Sequence, residues 1–299
     1  MNYRNKARYS LLYMALPLMA LVFLFSYMPL FGWIYAFYDY KAGIPLFQNE
    51  FVGLKFFKLI FSDKADMIRV MKNTLIFAFI GLALSPLPMV FAILMNEIRI
   101  KRFKSFIQTA TTLPNFVSWI IVYSLTFMIF STEGLLNQIG DSLGLLSNPT
   151  NILTKGDAVY WFQTALGVWK GLGWSAIVYV ASISSIDQEL YEAAVIDGAG
   201  RFKSAMHITL PSLVPTYLVL LILSIGNFLN VGLEQYLVYK NALTADNIEV
   251  LDLYVYQLGI NNHDYSYGVA VGILKSGISI ILLVIANVIA KRVRGSSIF

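Results

Sequence analysis

The residues that could do chemistry in this chain are few and widely separated. Its 299 residues include no cysteine and two histidines, His207 and His263. The lack of cysteine excludes disulfides, iron–sulfur clusters and thiolate metal sites, and two distant histidines indicate neither a metal site nor a catalytic cluster. The sequence contains no G-x-x-x-x-G-K-[ST] phosphate-binding loop. We therefore expect this chain to bind no metal, no ATP and no other cofactor itself.

Charged side chains inside long apolar runs are the other residues with chemical potential. Lys170 and Lys275 each interrupt such a run, and Glu234 lies at the end of a third. Charges are costly inside a membrane and tend to face the interior of a helix bundle. Two interpretations follow: the lysines favour a ligand with an acidic group, or they are neutralised by Glu234 and backbone carbonyls or reach outward to the membrane surface.

The composition predicts that the chain lies in a membrane. Apolar residues make up 58% and charged residues 13%, against ~25% charged in soluble proteins. The net charge of +5 comes from basic residues in short clusters between apolar runs. This pattern is typical of a membrane topology signal and does not indicate a nucleic-acid-binding surface.

Six apolar runs are long enough to cross a bilayer, which takes ~20 residues of helix. They predict an all-α membrane protein that forms a single domain over residues 1–299. Lysine and arginine cluster before the first span, between the second and third, and after the sixth, so we expect both termini in the cytoplasm. The loop 39–72 does not fit this orientation, because it would lie on the outer side and yet holds six basic residues. The predicted spans are approximately 11–38, 73–96, 105–131, 160–185, 212–238 and 265–290.

The segment 187–211, between spans four and five on the side assigned to the cytoplasm, has the most specific pattern. It predicts two short helices around a tight turn, in which Asp187 caps the first helix and Gly198 allows the turn. The small pair Ala193–Ala194 permits close approach to a partner, and Pro211 suits the start of the next span. A helix of about ten residues is marginal alone, so packing against another surface should hold it.

The spacing of this segment carries a family resemblance. Glu192-Ala193-Ala194, three residues, Gly198, nine residues, Ile208, one residue and Leu210-Pro211 resemble the EAA signature of ATP-binding-cassette importer permeases. Segments such as YMPLFGWIYAFYDY, MNEIRIKRFK and QTATTLPNFVSW resemble the sugar-uptake branch, in particular the LplB-like group associated with oligo- and polysaccharide-derived substrates. We call residues 187–211 the coupling loop, because in the family this loop docks on the ATP-hydrolysing subunit.

The resemblance implies a type I importer permease in the bacterial cytoplasmic membrane that is not itself an enzyme. It implies a complex with a homologous second permease, two ATP-binding subunits that hold the ATP and Mg²⁺, and an extracellular sugar-binding protein. The lipid bilayer and a carbohydrate substrate complete the expected partners, and no nucleic acid is expected.

Candidate substrate contacts also follow from the resemblance. Span five offers Ser224, Asn227 and Phe228, at i, i+3 and i+4 and therefore on one helix face. The alternative for each aromatic residue is lipid contact, helix packing or a place in the interfacial belt. Together with the three in-span charges, the candidates are Trp169, Lys170, Trp174, Ser224, Asn227, Phe228, Glu234 and Lys275.

Two other functions are weighed against the sugar importer. A permease for another solute, such as a peptide or a polyamine, would share the same motif. An ion-coupled secondary transporter would usually show paired repeats with broken helices, and the sequence shows no internal repeat.

Overall fold

The computed structural model describes residues 3–62, 64–145 and 149–294, which fold almost wholly as helices. In this part of the chain, extended pairing is limited to an isolated antiparallel bridge between Tyr38 and Phe51. The predicted all-helical architecture with six spans is confirmed. The helical stretches long and apolar enough to cross a membrane are Leu12–Phe37, Ala65–Asn96, Trp119–Ser142, Gly156–Ser184, Arg201–Gly226 and Tyr265–Arg292.

The helices group into two compact units, each made of segments that are distant along the chain. One unit comprises Met1–Met67 and Val255–Ser276, and the other comprises Ile68–Tyr254 and Gly277–Phe299. The prediction of a single domain over residues 1–299 did not include this division, because no linker in the sequence marks a boundary between the units. In chain order the helices are α1 Tyr3–Val22, α2 Lys55–Ser62, α3 Lys64–Ala83, α4 Leu87–Asn96, α5 Lys101–Thr112, α6 Trp119–Phe130, α7 Leu135–Ser142, α8 Val159–Ser184, α9 Gln188–Ile196, α10 Arg201–Ser204, α11 Leu210–Gly226, α12 Glu234–Tyr239, α13 Ala245–Ile248, α14 Leu251–Tyr256 and α15 Tyr265–Arg294.

Prolines interrupt the first two spans. After α1 the chain passes through a π turn, Phe23–Tyr27, into a 3₁₀ helix, Met28–Phe37, that begins next to Pro29. The second span divides into α3 and α4 at a turn that contains Pro86. Proline has no N–H to donate and its ring clashes with the preceding turn, so the chain bends or changes helix type at these positions.

The third span differs from the continuous helix expected over 105–131. Helix α5 ends at Thr112, a short 3₁₀ segment follows at Leu113–Phe116, and α6 begins at Trp119. Pro114 is the reason for the break. Ser118 then restarts the helix as its N-cap, because its side chain accepts a hydrogen bond from the Ile121 N–H at 3.4 Å.

The fourth span, α8, is the central element of the second unit and lies within one residue of its predicted bounds at each end. It packs on α4 and α11 through a buried cluster that includes Ala92, Ala176 and Leu213. Gly173 brings α8 very close to α5, since a Cβ built there would lie 2.3 Å from the Thr111 carbonyl oxygen. Only a glycine permits this approach.

The fifth span begins and ends earlier in the chain than predicted, because its helical stretch runs from Arg201 to Gly226. Helix α11 ends at Gly226, and the Asn227 side chain donates to the Leu223 carbonyl at 3.1 Å, inside the last turn. The chain is non-helical until α12 begins at Glu234, and Gly232 has a φ of +106° in this segment. The expected helix over 212–238 is therefore wrong beyond Gly226, because two glycines and local Asn hydrogen bonds favour a turn over a helix.

Candidate functional site

A cavity of about 720 Å³ opens within the second unit. Its walls come from α3, α4, α8, α11 and α12 and from the non-helical segment that joins α11 to α12. The volume lies in the range of pockets that hold small organic ligands, ~300–1,000 Å³. The polar and aromatic side chains of the lining are Phe77, Ser85, Gln163, Thr164, Trp174, Ser175, Tyr179, Tyr217, Ser224, Asn227, Phe228, Asn230, Gln235 and Tyr236.

The end of the fifth span provides one wall of this cavity. Ser224, Asn227 and Phe228 all line it, as their shared face predicted. The unwinding after Gly226 adds Asn230, whose side-chain amide donates to the Asn227 Oδ1 at 3.3 Å. Phe79 contacts Phe228 edge to face, with ring centroids 5.0 Å apart, and this contact fixes the orientation of the Phe228 ring.

Helix α8 provides the facing wall, with one aromatic ring beside two glycines. Trp174 lines the cavity and is half exposed, and Phe116 from the broken third span packs edge to face against it at 5.6 Å. Gly167 and Gly171 also line the cavity. Because glycine has no side chain, a ligand can approach the helix backbone at these two positions.

A pair of amide side chains that the sequence reading missed closes one end of the cavity. The Gln235 side-chain NH₂ donates to both the carbonyl oxygen and the Oε1 of Gln163 at 2.8 Å, and both residues are buried. Gln163 could have been identified from the sequence, since it is an uncharged polar residue inside an apolar span. Such residues are costly in lipid unless they face a partner or a cavity.

Two candidates from the fourth span do not contribute to this cavity. Lys170 Nζ donates to the Asn115 carbonyl at 2.8 Å and lies 5.4 Å from the centre of the Trp119 ring. The Asn115 carbonyl belongs to the break in the third span, so Lys170 satisfies a backbone group that the broken helix leaves without a helical partner. Trp169 is 48% exposed and is also absent from the lining.

The remaining charged candidates also lie elsewhere. Glu234 is exposed at the start of α12 and is not in the lining, although its neighbour Gln235 is. Lys275 belongs to the part of α15 in the first unit. Of the two interpretations of the in-span lysines, Lys170 fits the second, because its ammonium group is held by the Asn115 backbone carbonyl. Among the described residues, no cluster of acidic and histidine side chains could hold a metal ion.

The coupling loop forms a projecting element at one end of α8. The Asp187 side chain caps α9 by accepting from the Glu189 N–H at 3.0 Å, and Gly198 ends that helix with a φ of +74°. Helix α10 and the π turn Ala205–Thr209 then lead directly into α11. Of the signature residues, Glu192, Ala193, Gly198 and Pro211 are exposed, while Ala194, Ile208 and Leu210 are half-buried.

Apolar side chains on the coupling loop remain uncovered in the isolated chain. Ile196 is 85% exposed, Phe202 is 78% exposed and Val195 is 69% exposed. A group of large apolar side chains at the tip of a polar loop is typical of a protein–protein contact.

The family model described as "Binding-protein-dependent transport system inner membrane component" matches residues 85–295, which include most of the cavity lining and the whole coupling loop. The chain belongs to this family.

Proteins of known name support the assignment over the whole chain. Protein LplB of Bacillus subtilis (strain 168) is 40% identical, over 99% of this chain and 92% of its own length. The polygalacturonan/rhamnogalacturonan transport system permease protein YteP of the same organism is 38% identical, over 93% of this chain and 87% of its own length.

Solved structures show the same fold. A bacterial ABC transporter involved in the import of the acidic polysaccharide alginate contains a chain that is 31% identical and superposes with a TM-score of 0.85, over 98% of this permease and 99% of that chain. A bacterial alginate ABC transporter in complex with an alginate pentasaccharide-bound periplasmic protein gives a TM-score of 0.86. The expected type I permease fold is therefore confirmed, and the permease is a multi-pass protein of the bacterial plasma membrane.

Proposed function

We propose that this permease forms part of the path by which an ABC importer takes up an oligosaccharide. The observation that carries the proposal is the convergence of Trp174 and Phe228 with the polar side chains of Ser224 and Asn227 in one cavity. Aromatic faces suit the apolar faces of sugar rings, while amides and hydroxyls match sugar hydroxyls. The names of the relatives, which refer to polygalacturonan, rhamnogalacturonan and alginate, support a carbohydrate substrate.

The proposed complex contains three further kinds of protein. A homologous second permease completes the membrane path, two ATP-binding subunits hold the ATP and Mg²⁺, and an extracellular binding protein delivers the sugar. This chain does no chemistry itself. Both termini and the coupling loop face the cytoplasm, which agrees with the basic clusters at the predicted inner ends of the spans.

In the proposed mechanism, the coupling loop converts closure of the ATP-binding subunits into movement of the spans. The signature residues Glu192, Ala193, Ala194, Gly198, Ile208, Leu210 and Pro211 shape the segment that docks. Helix α9 is joined to α11 through Gly198, α10 and one π turn, so a displacement of the loop is transmitted to the helix whose far end lines the cavity. Rigid-body movement of packed helices then alternates access to the sugar.

The test is ATP hydrolysis by the complete transporter in lipid, with its binding protein, against a panel of neutral and acidic oligosaccharides. We expect one sugar class to stimulate hydrolysis and to enter proteoliposomes. Stimulation by a peptide or a polyamine, and by no sugar, would reject the carbohydrate substrate and keep the importer. Uptake driven by an ion gradient without ATP would reject the importer itself.

A further inference from the structure

Polar side chains project among the apolar residues of the cavity lining, yet the lining carries no formal charge. Among the described residues that form its walls there is no Asp, Glu, Lys, Arg or His. We infer that this cavity recognises uncharged sugar units by their hydroxyl groups and discriminates against sugar units that carry a carboxylate. The inference rests on the proposed function and names the substrate class of the same site.

The first argument is the kind of hydrogen bond that the lining can make. The Gln163, Asn230 and Gln235 amides each carry both a donor and an acceptor, and the Ser224 hydroxyl does so in a single group. The Ser224 hydroxyl already donates to the Leu220 carbonyl and the Gln235 NH₂ to Gln163, so these two groups have an acceptor oxygen to offer. A sugar hydroxyl can donate to such an oxygen, and it can also accept from an amide N–H of the lining. A carboxylate only accepts, so it would leave the amide and hydroxyl oxygens of this wall without donors.

The second argument is the position of the cations of this unit. A carboxylate taken out of water needs a paired cation or a set of aligned donors to offset its desolvation. Lys170 is held by the Asn115 carbonyl and the Trp119 ring and is no part of the lining. It is therefore not placed to neutralise a carboxylate inside the cavity.

Two more cations of the same unit are held in a separate cluster. Arg69 contacts Asp246 at 2.8 Å and Glu249 at 2.9 Å, and Lys240 contacts Glu249 at 2.8 Å. None of these four residues lines the cavity. The cluster binds α3 to the segment before α14, and its cations are already matched by carboxylates of this chain.

The inference does not follow from the relatives. A transporter with the same fold is involved in the import of an acidic polysaccharide, and membership of the family is compatible with either class of sugar. The uncharged lining that this chain contributes is the observation that favours neutral sugar units.

The test compares two ligands that differ only in charge. A tetragalacturonate and its carboxyl-reduced form, which is the neutral tetragalactoside of the same linkage, are bound to the complete transporter in lipid nanodiscs in the presence of a non-hydrolysable ATP analogue. The binding protein is left out, so its own selectivity does not contribute. We expect the neutral ligand to bind roughly tenfold more tightly or better, since a buried carboxylate without a cation is disfavoured.

A pair of variants tests whether this cavity causes the preference for the neutral ligand. Asn227→Lys places a cation in the lining, and we expect it to reduce the preference for the neutral ligand by roughly tenfold. Lys170→Gln is the control, because it removes an in-span charge that is outside the lining, and we expect the preference to stay unchanged. Equal or tighter binding of the acidic ligand, or a loss of acidic binding in Lys170→Gln, overturns the inference.

The results that would reject the proposed function differ from those that would reject only this inference. If neither tetrasaccharide binds, and no oligosaccharide of the ATP-hydrolysis panel stimulates the transporter with its binding protein, the carbohydrate function is rejected together with the inference. If the acidic ligand binds better, the carbohydrate function stands and only the inference is rejected.

Discussion

The phenolic oxygen of Tyr191 lies 2.8 Å from the hydroxyl oxygen of Thr209, and this hydrogen bond joins α9 to the start of the fifth span. Thr209 is 2% exposed and is the last residue of the π turn that precedes α11. Tyr191 comes directly before the signature residue Glu192. The contact is therefore a second route, besides the backbone through Gly198, by which movement of the proposed coupling helix reaches α11.

Tyr191→Phe removes one hydroxyl and keeps the ring. It therefore tests the hydrogen bond to Thr209 without leaving a cavity where the ring packs. We expect the ratio of sugar transported to ATP hydrolysed to fall by roughly fivefold, which corresponds to the ~1 kcal/mol of one neutral hydrogen bond. The measurement is uptake and hydrolysis in the same proteoliposomes.

The matched variants are Thr209→Ser, which keeps the hydroxyl, and Thr209→Val, which replaces it by a methyl group. Thr209→Ser should behave as the unmodified permease. The double variant Tyr191→Phe/Thr209→Val should be no worse than either single variant, since both remove the same contact. Additive losses would show that the two residues act independently.

Trp174→Ala removes the half-exposed ring at the wall of the cavity. We expect the KM for sugar uptake to rise by roughly tenfold, the effect of losing about 1.4 kcal/mol of aromatic contact. Trp161→Ala is the control, because Trp161 is 69% exposed and lies outside the lining. Equal effects of the two substitutions on KM would show that Trp174 does not contact the substrate.

Gly173→Ala should destabilise the packing of α8 on α5. The new Cβ would lie 2.3 Å from the Thr111 carbonyl oxygen, which is backbone and cannot move aside cheaply. We expect a loss of about 1–3 kcal/mol in the free energy of unfolding, as for other overpacked sites.

The control for this substitution is Gly277→Ala in α15, where a Cβ meets nothing within 4 Å. Both glycines lie inside a long helix, so the change in helix propensity is the same for the two variants. A difference between their Tm values therefore measures the steric contact with Thr111. Thermal unfolding in lipid nanodiscs should give a lower Tm for Gly173→Ala alone. Identical Tm values would contradict the close approach.

Glu249→Gln should destabilise the second unit, because the Glu249 side chain is 7% exposed and accepts from both Arg69 and Lys240. Removing one member of a buried ionic cluster costs about 3–5 kcal/mol, and the partial exposure of Arg69 and Lys240 places the expected loss near 3 kcal/mol. Glu133→Gln, at an exposed position of the same unit, should leave Tm unchanged. An unchanged Tm for Glu249→Gln would show that the cluster adds no net stability.

The sequence predicted the spans best where a helix is uninterrupted. Helix α8 agrees with its expected bounds within one residue at each end, because composition and length alone decide whether a helix can cross a bilayer. The break at Pro114 and the unwinding after Gly226 were not predicted. An apolar run does not indicate where a side chain of a neighbouring span will donate to the carbonyls that a broken helix exposes, as Lys170 donates to the Asn115 carbonyl.

Part of the cavity could also be read from the sequence. Ser224, Asn227 and Phe228 were predicted to share a helix face, and all three line the cavity although the helix ends at Gly226. In contrast, Gln235 reaches the cavity through the turn that separates α11 from α12, and Gln163 meets it from a different span. Their pairing depends on two segments 72 residues apart and could not be read from either segment alone.

The amino-acid sequence by itself determined that this protein has six spans, that it belongs among ABC importer permeases, and that the coupling loop has the family's spacing. These properties are local, since each depends on the apolar content or on the order of residues within one segment. Only the tertiary structure decided which polar side chains meet in the cavity and which charges lie outside it. The reason is that the periodicity of a helix fixes which residues share a face, whereas the packing of the other spans decides which face borders the cavity.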